Sequence, residues 1–133
     1  MTRLEYWIRA KTQYSVHSPF VFDLYREVLF AHIPATLLPD TSRNDRRYHA
    51  LCYKLGDHFR LTTVSSSEQC TELSGDKDFG KVLVVNHPHH DKASEQAWHQ
   101  LCQTAPYLVA IDLFDVGILF SNPRLHRQYF LLR

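Results

Sequence analysis

Six residues, Lys81 to Asn86, read K-V-L-V-V-N and constrain this chain more than any others. Four apolar residues follow one another without a polar break, where a strand wetted on one side would alternate. A run of this kind belongs to a strand buried on both faces of a sheet. It is followed by a polar loop, "NHPHHDK", and then by "DKASEQAWHQLCQ", which puts Ala97, Trp98, Leu101 and Cys102 on one side of a helix. Further on, "YLVAIDLF" and "VGILFS" are strands separated by little more than Asp115, which favours an antiparallel hairpin. "PRLHRQ" reads as a helical turn and "YFLLR" as a last short strand.

Strand, helix, strand in succession predicts an α/β layer architecture with right-handed crossovers. The expected fold is a small, mostly parallel sheet with a C-terminal antiparallel hairpin at its edge, flanked by helices. Its four strands are Leu61–Val64, Lys81–Val85, Tyr107–Phe114 and Gly117–Ser121.

The first third reads as helical. "TRLEYWIRAK" is a short amphipathic helix presenting Leu4, Trp7 and Ile8. In "SPFVFDLYREVLFAH", Ser18 is an N-cap and Pro19 takes the first helical position, where its missing N–H costs nothing. "PATLLPDTSRND" is a connector. "DRRYHALCYKLGDHF" is a third helix with Leu51, Cys52 and Leu55 inward and Gly56 as its stop. The chain of 133 residues is expected to form one domain, 1–133, with a helical segment over 1–34 and an α/β core over 45–133.

Composition excludes several classes. Fifteen basic against fourteen acidic residues, with no basic tract, argue against a nucleic-acid partner. No apolar run approaches the roughly twenty residues of a membrane span, and the N-terminus lacks a signal-peptide core. Cys52, Cys70 and Cys102 are odd in number and widely spaced, as expected of reduced thiols in a cytoplasmic protein.

Two stretches carry a family resemblance. "YWIRAKTQYSVHSPFVFDLYREVL", with His17, Ser18, Pro19 and Phe20 at its centre, resembles the opening of a bacterial subgroup of class I S-adenosylmethionine-dependent methyltransferases. "YLVAIDLFDVGILFSNPRLHRQYFLLR" is similar to the final hairpin and tail of the same subgroup, and together the two cover a little over a third of the chain. The resemblance implies a Rossmann-like core whose first strand ends in an acidic residue and a glycine-rich turn. This chain has "LTTVSSSEQC" there, without a glycine, so β-carbons obstruct the approach of a cofactor. Where the family has paired acidic residues after a later strand, this chain has Asn86 and His87; Ala97 and Trp98 fit the family's Ala-Trp pair. The expected fold is thus a reduced Rossmann-like one, shortened in its cofactor-binding part.

The candidate site residues follow from these two loops. Ser65, Ser66 and Ser67 are candidates to hold a phosphate or a cofactor carboxylate at a helix N-terminus, with Asn86 and His87 facing the same cofactor. Set against this is an ordinary polar turn. His87, His89, His90 and Asp91 are of ligand type for zinc or another divalent ion. The alternative is a solvated loop in which Asp91 caps the next helix. Cys52 and Cys102 belong on apolar helix faces, which leaves Cys70 as the exposed thiol.

The functional expectation is a shortened methyltransferase-like protein that no longer transfers methyl groups and serves in binding or assembly, with no cofactor. The aromatic N-terminal helices, with Trp7, Phe20, Phe22, Tyr25 and Phe30, suggest a homodimer or a related protein partner. Two alternatives stand beside it. One is residual methyl transfer from S-adenosylmethionine at a site completed by a partner chain; the other is metal binding through His87–Asp91.

Overall fold

The computed structural model describes residues 1–9, 19–29, 43–104 and 106–132. His17, Ser18, Phe30 and most of the connector lie outside these residues. Six strands form one sheet in the order β1–β2–β3–β5–β4–β6. β1 (Thr62–Ser66), β2 (Cys70–Ser74) and β3 (Lys81–Asn86) are an antiparallel meander. Ser67 Oγ closes the first turn by accepting the N–H groups of Gln69 and Cys70, each at 3.2 Å. Asp76 Oδ1 shapes the second turn by accepting from Asp78 and Phe79, and Gly80 ends it with a φ of 83°.

β4 (Val109–Asp112) and β5 (Val116–Phe120) form the hairpin expected from the sequence, turning through Phe114 at a φ of 70°. β5 pairs antiparallel with β3 on its other side. β3 and β4 are therefore parallel to each other, with β5 between them and helix α4 (Lys92–Gln103) connecting them. β6 (Gln128–Leu131) runs parallel to β4 at the edge.

The expected mostly parallel, Rossmann-like sheet is overturned: of the pairings among the described residues, only β4 with β6 is parallel. Connection length is the reason. Parallel neighbours need a crossover of about a dozen residues or more. Residues 67–69 alone join β1 to β2, and 75–80 join β2 to β3. The hairpin is also not at the edge, because β5 lies inside the sheet and β6 covers β4. β2 lies outside the expected strands, and β6 matches the last short strand expected at "YFLLR".

Helices cover both faces, as the unbroken run in β3 demands. Val82 and Val84 face a core that contains Ile111, Ile118 and Phe120 and is closed by α3 (Arg43–Phe59) through Tyr48, Leu51 and Leu55. Leu24 and Val28 join it from α2 (Pro19–Leu24) and the π-helical turn Tyr25–Leu29 that continues it. Leu83 and Val85 face the other way, where Trp98 of α4 packs with Ala110 and Leu119. α3 does not stop at Gly56. It continues to Phe59, which stacks among Phe20, Phe79 and Phe120, and Arg60 takes the left-handed closing position at a φ of 55°.

Helix α1 (Arg3–Arg9) lies on the β4–β5 turn through Tyr6, whose ring is 5.2 Å from that of Phe114. Leu4, Trp7 and Ile8 are 70%, 61% and 69% exposed. No helix among the described residues is long and apolar enough to cross a membrane.

Candidate functional site

Where β3 ends, the chain must leave the sheet and turn into α4. His87 makes that turn in the left-handed region, at a φ of 50°. The conformation costs a residue with a β-carbon about 1–2 kcal/mol. The His87 N–H donates to the Asp115 carbonyl at 2.8 Å, and its Nε2 lies 3.4 Å from Asp45. Asp91 then caps α4, its Oδ1 accepting from the Ser94 N–H at 2.7 Å. That hydrogen bond holds the Asp91 carboxyl below its usual pKa.

A cleft of about 690 Å³ opens beside this loop. Val85, Ala97, Trp98 and Leu101 give it apolar lining from β3 and α4. Its polar lining comes from Asn86, His87, His90 and Asp91, from Asp45 at the start of α3, and from Glu68 and Gln69 on the β1–β2 turn. The size is that of a small-molecule site, as is the mixture of apolar floor and few polar groups.

Asn86 is oriented without ambiguity. Its Nδ2 donates to Asp45 Oδ1 and to the Glu68 carbonyl, both at 2.9 Å. A flipped amide would set oxygen against two oxygens. The Oδ1 is consequently a buried acceptor without a donor among the described residues.

Beneath the cleft loop lies a second polar group whose centre, His89 with Asp112, is closed to solvent. His89 projects away from His87 and His90; its side chain is 1% exposed and stacks on Phe114 at 5.3 Å. Nε2 lies 2.5 Å from Asp112 Oδ2, and Nδ1 lies 3.0 Å from Glu95 Oε2. The Met1 ammonium donates to Glu95 from the other side. Tyr129 Oη also donates to Asp112 Oδ2, and Trp98 Nε1 donates to Tyr129 at 3.1 Å. The Phe114 N–H satisfies Asp112 Oδ1 at 2.9 Å. With both ring nitrogens committed to carboxylates, His89 fastens the loop to β4 and α4 and presents no free lone pair to the cleft.

The expected site residues thus divide. Asn86, His87, His90 and Asp91 line one cleft. Ser65, Ser66 and Ser67 do not sit at a helix N-terminus: Ser65 and Ser66 belong to the exposed strand β1, and Ser67 begins a hairpin turn. Ser66 Oγ is 3.1 Å from Thr71 Oγ1, so its hydroxyl is engaged within the hairpin. The four residues expected to share a metal point apart, with His89 inward, Asp91 on its cap and His90 exposed. Among the described residues, no three His, Cys, Asp or Glu side chains are grouped to hold a metal ion. Burial pushes the Cys52 and Cys102 thiols up, to about 11 and about 12, which keeps both protonated.

Asp45, Glu68, Asp112 and Tyr129 were not singled out from the sequence. Asp112 carried a signal, being a lone carboxylate within the apolar strand "YLVAIDLF". Asp45 and Glu68 reach the site only through the tertiary fold.

Comparison with protein-family profiles, curated proteins and solved structures yields no match.

Proposed function

We propose that this protein is a binding module, that its ligand occupies the cleft at the end of β3, and that it does not transfer methyl groups. The observation that carries the proposal is the cleft itself: small-molecule volume, an apolar floor, and a polar edge that includes Asp45, Glu68 and Asn86. Support for lost methyl transfer comes from the segment after β1, which turns back within residues 67–69 and offers no helix start to an adenosyl group.

The test is a titration of ¹⁵N-labelled protein with S-adenosylmethionine, and separately with indole and 2-phenylethylamine as ring-bearing probes. Saturable shifts of the Gln69, Asn86, His87 and Ala97 amides by a ring probe are expected. No probe moving these amides at millimolar concentration would sink the binding site. Micromolar binding of S-adenosylmethionine with transfer of its methyl group would overturn the non-catalytic half.

A further inference from the structure

We infer that the cleft selects a small amine cation carrying an apolar ring. This deepens the reading just given and rests on the cleft being a binding site. Charge complementarity is the first ground. Among the described residues the lining contains three carboxylates, Asp45, Glu68 and Asp91, and neither a lysine nor an arginine. They are not equally available. Asp45 accepts from Asn86 and lies near His87, and Asp91 is engaged by the N–H of Ser94. Glu68 sits on the exposed β1–β2 turn, where its backbone carbonyl accepts from Asn86 and its carboxylate makes no hydrogen bond or ion pair among the described residues. An incoming ammonium therefore finds one carboxylate ready to take it and, among the described residues of the lining, no fixed cation to repel it.

The second ground is the floor, where Val85, Ala97 and Leu101 beside Trp98 reward the removal of a ring from water. An anion is disfavoured by the charge. A plain hydrophilic cation leaves the floor wet.

The experiment compares three ligands of nearly equal shape at pH 8 and low salt: 2-phenylethylamine, the neutral 2-phenylethanol and the anionic 3-phenylpropionate. Amide shifts of Gln69, Asn86, His87 and Ala97 report binding. The amine should bind at least tenfold more tightly than the alcohol, weaken as salt is raised, and weaken in Glu68→Gln, a change at an exposed turn. If the three ligands shift these amides with equal affinity, or if the acid binds best, cation selection is wrong and the cleft remains a binding site. If none of them moves these amides, the cleft reading fails with it. An amine that binds equally well to Glu68→Gln would also overturn the assignment of the charge to that residue.

Discussion

The imidazole of His89 and the carboxylate of Asp112 meet at 2.5 Å in a place that solvent does not reach. Glu95 takes the other ring nitrogen, so the imidazole lies between two carboxylates that favour its cationic form. Burial alone would lower its pKa; the hydrogen bonds and charges of Asp112 and Glu95 outweigh burial and raise it.

The sign of the pH dependence follows. A histidine whose folded-state pKa lies above its unfolded value of about 6.5 contributes its full stabilisation below that value. The contribution is lost as pH rises through the raised, folded-state value. Urea unfolding midpoints should therefore fall from about pH 6 upward, and His89→Gln should flatten that part of the curve. Parallel pH profiles for the two proteins would show that His89 is not the group responsible.

Tyr129→Phe removes the hydroxyl that donates to Asp112 and accepts from Trp98. The indole N–H is left without its acceptor and Asp112 loses one donor, at a cost of about 1–3 kcal/mol. Denaturant unfolding measures the loss. A variant as stable as the parent would mean that water replaces the hydroxyl without penalty.

Gly117 lies directly under the Trp98 ring: a β-carbon there would stand 2.4 Å from Cη2. Gly117→Ala should destabilise by about 1–3 kcal/mol through overpacking, with a changed near-ultraviolet tryptophan signal. Adding Trp98→Leu should recover part of that loss, because the two sites share one contact. Strictly additive effects would place the strain elsewhere.

His87 lends itself to a paired comparison. His87→Gly and His87→Ala both delete the imidazole and its contact with Asp45, but only alanine keeps a β-carbon in the left-handed region. The glycine variant should be the more stable by about 0.5–1 kcal/mol, after allowance for its freer unfolded chain. Equal stabilities would show that the loop relaxes out of that conformation.

The readings that held were those set by local pattern. An apolar run of Val82 to Val85 has one solution, a strand covered twice: Val82 and Val84 enter the core under α3, while Leu83 and Val85 pack towards Trp98. The Asp91 cap is equally local, needing only Ser94 three residues on. Strand direction is not local in this sense, and it was misjudged because the resemblance outweighed the shortness of the turns. β2 was missed because "CTELS" is polar in composition; only Thr71 and Leu73, alternating inward, mark it. In the loop, His89 parts from His87 and His90 because a lone carboxylate in β4 reaches it from beneath, and nothing in "NHPHHD" itself distinguishes the three rings.

The brevity of the first two turns also orders events in time. Three residues bring β1 onto β2 and six bring β2 onto β3, so this meander needs only small loops to close and can zip on the microsecond scale of isolated hairpins. Val82 pairs with Phe120 across the stretch of chain that holds α4 and β4, a far larger loop to close. Docking of β5 onto β3 should accordingly limit the refolding rate, and a nascent chain carries the whole first meander before the second hairpin is synthesised.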